Sequence, residues 1–329
     1  MRIKGDGINR FKIFTHSDLD GMGGAILAKV AFGNKADINI EMTSTFEKAI
    51  NRFLDNDSDL PYYKALYIVD LSISEDLANK IESVCSSFNI KLNLFDHHNT
   101  SINLNNRSWC TVIESETTCG TSLFYDFLLK ISQSSNKNLY NTLLKYQSLV
   151  SAITMFDTAT WAKNDNFLSY QLSMLLRALA KKDRFIDRFV NNPSTKLTPE
   201  ELIYIGLEID KAASFVFSRK LKSFVANIDI PNLGNYDVII CYASDFYLEM
   251  FSTLFDYYPN INIAIVINLP FGISYRLRDN TPNVDLSKIS EFFGGGGHVE
   301  SAGSSIPPEL VKNLTKSIFQ SYGANVSFI

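Results

Sequence analysis

Short apolar segments alternate with helical patterns over the first hundred residues, and this alternation limits the fold more than any other feature of the sequence. Strands are predicted at 11–15, 38–42, 64–69 and 90–95, and helices at 22–32, 46–54 and 75–88. Alternation of this kind is typical of a mostly parallel sheet that is covered by helices on both faces. The sequence therefore predicts an α/β fold.

Three of these predicted strands are followed directly by histidine and aspartate residues. The residues are His16, Asp18 and Asp20 after the first strand, Asp70 after the third, and Asp96, His97 and His98 after the fourth. Ligands of open α/β sheets gather outside the carboxyl ends of the strands, so we expect these side chains to converge. Imidazole and carboxylate groups together suit a divalent cation.

The first group has a spacing of two residues. Because an extended backbone has a period of two, His16, Asp18 and Asp20 can all point to one side of the chain. The same pattern also fits a polar loop in which Asp18 or Asp20 caps the following helix. The spacing alone does not decide between a ligand and a cap.

From Thr121 onward the apolar residues recur at helical spacing. Helices are predicted at 123–131, 139–156, 167–180 and 185–190. Asp157 directly follows the longest of them, where it either reaches back to the predicted ligands or caps the segment around Trp161.

The last third of the chain begins a second strand and helix pattern. Residues 191–228 are predicted as a helical linker, with one helix running from Thr198 to about Ala226. Strands are predicted at 238–241, 263–267 and 273–277, with a helix at 245–257. We therefore expect a first domain at 1–190, a smaller α/β domain at 229–329, and an active site in a cleft between them.

Four consecutive glycines, Gly294 to Gly297, precede His298. One glycine is enough to end a helix, so four indicate a backbone that approaches a ligand closely, although a plain turn also fits. Arg276 and Arg278 lie just before, two residues apart on one predicted strand face. They could hold a phosphate as bidentate donors, or form a solvated strand edge.

The composition excludes some classes of function. The formal net charge of the 329 residues is -4, which disfavours a protein that grips long nucleic acids through a basic face. No run of 18 apolar residues occurs, and Met1–Asp6 lacks the apolar core of a signal peptide. We therefore expect a cytoplasmic protein that acts without a membrane.

Taken together, these motifs and their order along the chain resemble the DHH phosphoesterase superfamily with its DHH-associated C-terminal domain. This superfamily includes RecJ nucleases, the oligoribonucleases called nano-RNases, adenosine bisphosphate phosphatases and cyclic di-AMP phosphodiesterases. The resemblance extends over nearly the whole chain, and the overall pattern is nearest the nano-RNases.

The resemblance implies roles for particular residues. It implies two divalent metal ions, usually manganese, with Asp70 bridging them, and it places His98 beside the scissile phosphate. One ion would be held by His16, Asp18 and Asp70, and the other by Asp20, Asp70, His97 and Asp157. Substrate would be bound by Arg278, Gly295, Gly296 and His298, and by Arg276, whose match to the family is weaker.

The expected activity is hydrolysis of short RNA to nucleoside monophosphates, with a hydroxide shared by the two ions attacking the phosphate in line. The alternatives are adenosine 3',5'-bisphosphate phosphatase, phosphodiesterase on linear or cyclic di-AMP, and, from another class, an inactive nucleotide-binding relative. The expected partner is a short RNA or dinucleotide, not a long duplex. The sequence does not decide the polarity of attack or whether the chain forms a homodimer.

Overall fold

The computed structural model describes residues 1–3, 9–56, 58–164, 166–279, 281–324 and 326–328. The prediction that no signal peptide is present used the segment Met1–Asp6, and residues 4–6 of that segment lie outside the described residues. The chain divides into two compact units, Met1–Glu208 and Ile209–Ile329. Each unit has its own sheet and is described separately.

The described strands of the first unit form one six-stranded sheet. They are β1 (Arg2–Ile3), β2 (Arg10–His16), β3 (Ala36–Glu41), β4 (Tyr63–Val69), β5 (Lys91–Asp96) and β6 (Cys110–Val112). Their order in the sheet is β1-β3-β2-β4-β5-β6, and β1 alone among them runs antiparallel to its neighbour. The α/β class with a mostly parallel sheet is therefore confirmed.

Helices connect these strands and continue beyond them. They are α1 (Leu19–Phe32), α2 (Phe46–Leu54), α3 (Glu75–Ser87), α4 (Gly120–Ser135), α5 (Lys137–Leu144), α6 (Gln147–Asp157), α7 (Phe167–Ala178), α8 (Lys182–Asn191) and α9 (Pro199–Lys220). Short 3-10 helices occur at Gly33–Lys35, Leu60–Tyr62 and Asn99–Asn106. The boundary between the two units falls within α9.

Both faces of the first sheet are covered, which explains why its strands are nearly continuous apolar runs. On one face, side chains such as Phe14, Ile68 and Leu94 pack in a buried cluster with residues of α2 and α3. On the other face, Tyr67 and Phe95 contact the ring of Phe124 from α4. The histidine and aspartate residues that follow the predicted strands lie at or just after the carboxyl ends of β2, β4 and β5.

The second unit has a mixed sheet of six described strands. They are β7 (Phe224–Ile230), β8 (Gly234–Tyr242), β9 (Ile263–Asn268), β10 (Gly272–Leu277), β11 (Gly295–Gly297) and β12 (Ser301–Ser305), in the order β11-β12-β10-β9-β8-β7. Only the β8 and β9 pair among them is parallel. The helices are α10 (Tyr247–Tyr257), α11 (Leu286–Phe292) and α12 (Pro308–Ser321).

Two apolar clusters cover this second sheet. On one side, Ile239 and Val266 pack with Met250 and Leu254 of α10 and with Val216 of α9. On the other side, strand residues pack with α11 through Leu286 and Ile289. Alternating side chains of β8 and β9 thus supply both clusters, as expected for buried strands.

Several element boundaries differ from the predictions. The helix predicted at 139–156 is two helices, α5 and α6, and the helix predicted to reach about Ala226 ends at Lys220, before β7. The tetraglycine segment forms the edge strand β11. Among the described helices, none combines the length and apolar character needed to cross a membrane.

Candidate metal centre

Three neighbouring parallel strands bring the predicted ligands to one edge of the first sheet. Strand β2 pairs with β4, and β4 pairs with β5, so the ends at His16, Asp70 and Asp96 lie side by side. The backbone N–H of Asp70 also donates to the carbonyl oxygen of Phe95 at 2.8 Å. The structure therefore brings the strand-end residues together, as the sequence predicts.

The first ligand group consists of His16, Asp18 and Asp70, whose ligand atoms all lie within 4.8 Å of one another. His16 Nδ1 is 2.7 Å from Asp18 Oδ2 and 3.6 Å from Asp70 Oδ2. Asp18 Oδ1 also accepts from the N–H of Gly21 at 3.0 Å, as the N-cap of α1. Asp18 therefore caps α1 and also lies in a group of side chains that could hold a metal ion.

The second group consists of Asp20, His97 and Asp157. His97 Nε2 is 3.2 Å from Asp157 Oδ2, 3.5 Å from Asp70 Oδ1 and 4.0 Å from Asp20 Oδ2. Asp157 is the last residue of α6, so the helix end does reach back to the strand ends. Because Asp70 contacts His16 and His97, it lies between the two groups.

The backbone at Asp70 has an unusual conformation. Its φ angle is +58°, in the left-handed region that few residues other than Gly, Asn and Asp adopt. Gly120 lies against it, because a Cβ atom added to Gly120 would lie 2.7 Å from Asp70 Cβ and 2.8 Å from Asp70 N. A side chain at position 120 is therefore incompatible with this placement of Asp70.

Asp20 is held by the first turn of α4, a contact that the sequence did not indicate. Its two carboxylate oxygens accept the backbone N–H groups of Gly120, at 2.7 Å, and Thr121, at 2.8 Å. The hydroxyl of Thr121 donates to the carbonyl oxygen of Asp20. Backbone donors carry no side-chain signature, so no pattern of residue types could have predicted this contact.

Crowding of carboxylates shifts the proton affinities at this site. Burial, together with the charges of neighbouring aspartates, raises the pKa of Asp70 and of Asp157 well above the ordinary range. Burial also opposes charge on His16 and Asp18, but their ion pair outweighs it, raising the pKa of His16 to about 11 and lowering the pKa of Asp18. Burial and mutual repulsion therefore disfavour the ionised forms of Asp70 and Asp157.

The donor set fits divalent cations. Asp70 Oδ2 and Asp157 Oδ2 are buried oxygens that accept no hydrogen bond from the residues described. Buried carboxylates are normally paired, hydrogen-bonded or bound to metal. Mixed imidazole and carboxylate ligands at these separations are suited to manganese or a later transition metal.

The buried carboxylate of Asp96 orients the ring of His98. Its Nδ1 is 2.6 Å from Asp96 Oδ1, and the fully buried Asp96 accepts from the hydroxyl of Ser72 at 2.9 Å. Burial lowers the pKa of His98, but the hydrogen bond and charge of Asp96 outweigh it, so the pKa is raised. His98 also forms a third ligand group with Asp70 and His97, so the geometry is compatible with metal binding by its ring as well.

The predicted arginines of the second unit have different environments. The guanidinium of Arg278 donates to the backbone carbonyl oxygens of Phe255, Tyr258 and Ile261, so it binds the end of α10. Arg276 lies on β10 opposite Ser301, is half-buried, and makes no hydrogen bond or ion pair with the residues that the structure describes.

Close pairing of β11 with β12 explains the glycine run. A Cβ atom at Gly295 would lie only 2.0 Å from the carbonyl oxygen of Gly303 on β12, so the two strands pair at a distance that excludes a side chain. Gly296 continues this pairing, and His298 N donates to the carbonyl oxygen of Ser301 at 2.8 Å. Gly295, Gly296 and His298 are therefore neighbours on one hairpin in the second unit.

Part of the first unit matches a known protein family. Residues 10–153 match the model of the DHH family, N-terminal domain. They form a DHH domain. The DHH domain contains every predicted ligand except Asp157, which lies just beyond the match. The resemblance to the DHH family is thus confirmed.

The chain is 25% identical over 317 residues to oligoribonuclease NrnB of Bacillus subtilis, a match that covers 94% of this chain and 76% of that protein. A solved DHH domain titled as a member of the s1p family of ribosomal proteins matches with a TM-score of 0.57 at 13% identity, covering 94% and 86% of the two chains. RecJ of Thermus thermophilus in complex with Mn²⁺ matches with a TM-score of 0.55 at 12% identity, covering 95% and 52%. These structures share the fold of the chain and its DHH domain.

Proposed function

We propose that this chain is a metal-dependent phosphodiesterase that hydrolyses short oligonucleotides to nucleoside monophosphates. The observation that carries the proposal is the pair of ligand groups on either side of Asp70, which lies within 3.6 Å of a histidine of each group. The relationship to an oligoribonuclease supports a short RNA as substrate.

Under this proposal two divalent cations, with manganese preferred, are held by the two groups. His16, Asp18 and Asp70 would hold one, and Asp20, Asp70, His97 and Asp157 the other. The chemistry that such cations supply is activation of water and stabilisation of charge on the phosphoryl oxygens. Asp70 fixes the separation of the two positions because the turn that carries it is tied to β5 and packed against Gly120.

His98 would act on the leaving group. Asp96 accepts a hydrogen bond at Nδ1 and favours the protonated ring, so Nε2 is the atom that holds a proton for the leaving oxygen. The same charge would stabilise the negative oxygens of the phosphate in the transition state. This role needs a ring that is accessible, and the His98 side chain is 36% exposed.

Residues of the second unit would bind the substrate. We propose Arg276, Gly295, Gly296 and His298 for this role, within a substrate domain at 229–329 that follows a catalytic domain at 1–190 and a helical linker at 191–228. Arg278 is the weaker candidate, because three carbonyl oxygens already accept from its Nε and Nη2. Its Nη1 is the atom left for a substrate.

A panel of substrates tests the proposal. The protein is incubated with Mn²⁺ and a dinucleotide, a pentanucleotide, a long single strand, adenosine 3',5'-bisphosphate or cyclic di-AMP, and products are separated by chromatography. We expect mononucleotides from the two short RNAs, and none with EDTA or with Asp70→Asn. End-labelled substrates identify the direction of attack.

Other outcomes of the panel would replace the proposal. Preferred turnover of the bisphosphate or of cyclic di-AMP would assign the chain to one of those activities. Turnover of none of the five substrates, by a folded protein that binds Mn²⁺, would favour a nucleotide-binding role without catalysis.

A further inference from the structure

The first turn of α4 lies directly against the side chain of Asp20. The two oxygens of the Asp20 carboxylate accept one backbone N–H each, from the consecutive residues Gly120 and Thr121. Asp20 is 1% exposed, so these bonds are shielded from competing water. With both oxygens engaged, the carboxylate is held in one orientation.

Elementary helix chemistry explains why this contact is strong. The first N–H groups of a helix have no partner within the helix, and the helix dipole favours a negative charge at this end. Hydrogen bonds to an ionised acceptor are shorter and stronger than those between neutral groups. Each carboxylate oxygen has two lone pairs, so accepting one N–H leaves the other lone pair for a cation.

The hydroxyl of Thr121 adds a contact that fixes α1 against α4. It donates to the carbonyl oxygen of Asp20 itself, so the backbone and the side chain of Asp20 are both bound to the same residue. Thr121 is fully buried. Without this hydroxyl, the two N–H groups would lose the tether that keeps them in line with the carboxylate.

The same turn also limits the position of Asp70. Gly120 lies so close to Asp70 that an added Cβ atom would come within 3.0 Å of its Cβ, N and Cα atoms. One turn of α4 therefore contacts two of the carboxylates that the proposed metal centre needs. This turn therefore constrains the position of Asp20 relative to Asp70.

We propose that Thr121 is a positioning residue of the metal centre: through its N–H and hydroxyl, the first turn of α4 holds Asp20 in the orientation that binds the second cation. This inference rests on the proposed function, because it assigns a purpose to a contact with a proposed ligand. The competing explanation is that the turn only joins α1 to α4.

Metal binding separates the two explanations. Mn²⁺ affinity is measured by electron paramagnetic resonance titration, and folding by thermal unfolding in EDTA, for wild type, Thr121→Val and Thr121→Ser. Thr121→Val keeps the shape and the N–H but loses the hydroxyl, whereas Thr121→Ser keeps both donors. We expect Thr121→Val to weaken binding of one Mn²⁺ by about 10- to 100-fold, the usual effect of losing a residue that orients a ligand, and Thr121→Ser to bind nearly as wild type does.

Ser122 provides a matched control in the same turn. Its hydroxyl donates to the carbonyl oxygen of Cys119 and accepts the N–H of Cys119, and none of its hydrogen bonds involves Asp20. Ser122→Ala should lower the unfolding temperature and leave Mn²⁺ affinity unchanged. Should Thr121→Val not fold, Thr121→Ala carries the same expectation.

The outcomes distinguish this inference from the proposed function. Wild-type affinity for Mn²⁺ in a folded Thr121→Val protein would overturn the positioning role while leaving the metal centre intact. A wild-type protein that binds no Mn²⁺ would overturn both. Equal loss of affinity in Ser122→Ala and Thr121→Val would assign the effect to helix stability and also overturn the inference.

Discussion

Replacing Asp70 with Asn should stabilise the metal-free protein and abolish its stabilisation by metal. Asp70 is 2% exposed and crowded by other carboxylates, and its pKa is raised by burial and by the charges of Asp18 and Asp20. Asparagine is neutral, has nearly the same shape, and tolerates the left-handed backbone at this position. The variant therefore removes charge repulsion without a change of volume or backbone strain.

The distances set the scale of the effect. The ligand atoms of Asp18 and Asp70 lie within 4.8 Å of each other. At an effective dielectric constant of about 20, two unit charges at that separation repel by about 3.5 kcal/mol. Proton uptake by Asp70 and the cationic His16 relieve part of this repulsion. We therefore expect a gain in EDTA between zero and about 3 kcal/mol, or up to about 10 °C in the unfolding temperature.

Metal should stabilise the two proteins to different extents. A cation at a hundred times its dissociation constant stabilises the folded state by about 2.7 kcal/mol per site, or about 5–10 °C. Wild type should gain this stability on addition of Mn²⁺, because the cation replaces bound protons and neutralises the repulsion between the carboxylates. Asp70→Asn should gain little, because it lacks the carboxylate shared by both groups.

The pH dependence in EDTA follows from the same shifts. Because the pKa values of Asp70 and Asp157 are raised in the folded state, the folded chain holds these protons more tightly than the unfolded chain. Their contribution to stability is present at low pH and is lost as pH rises through the folded-state values. Asp70→Asn should reduce this loss.

Thermal unfolding in EDTA and in Mn²⁺, followed by calorimetry, checks these expectations. Asp126→Asn is the control, because Asp126 lies on α4 outside the ligand groups and should keep the full Mn²⁺ effect. A strongly destabilised Asp70→Asn in EDTA, or a Mn²⁺ effect equal to that of wild type, would refute the reasoning.

Three further substitutions test other residues. His98→Gln should lower turnover of a short RNA by about 10²- to 10⁴-fold with both Mn²⁺ still bound, and loss of one Mn²⁺ in the titration would instead make His98 a ligand. Arg278→Ala removes a charged donor from the end of α10 and should reduce the free energy of unfolding in urea by about 1.5–3 kcal/mol. Arg276→Ala should change it by less than about 0.5 kcal/mol. Equal effects would contradict the structural role given to Arg278. Gly295→Ala should cost about 1–3 kcal/mol in the same assay because β11 and β12 must separate, while Gly303→Ala, whose Cβ would meet only an ordinary contact at 3.5 Å, should be tolerated.

Much of the first unit could be predicted from sequence because its strands are buried on both faces. Such strands are mainly apolar, and a histidine or aspartate marks where each of β2, β4 and β5 ends. The grouping of His16, Asp70 and His97 followed from that rule and from the parallel order of the sheet. Asp157 was harder, since a residue at a helix end has no fixed direction until the helix is packed.

The parts of the fold and of the site that were not predicted depend on contacts that leave no pattern in residue type. Strand β11 consists of three glycines and has no side chains to alternate, and β7 is largely exposed, so neither gave a strand signal. Apolar residues keep their helical spacing across Lys145 and Tyr146, so the pattern did not show the division between α5 and α6. The first turn of α4 binds the carboxylate of Asp20 through backbone N–H groups, which every residue type except proline has.

The left-handed backbone at Asp70 has a consequence for how this position can change. Glutamate would keep the charge, but it would have to adopt a left-handed backbone conformation that longer side chains avoid. The short acid is therefore required by main-chain geometry as well as by reach. Asparagine has nearly the same shape and also tolerates this backbone, so one conservative exchange would remove the shared carboxylate while the fold persists.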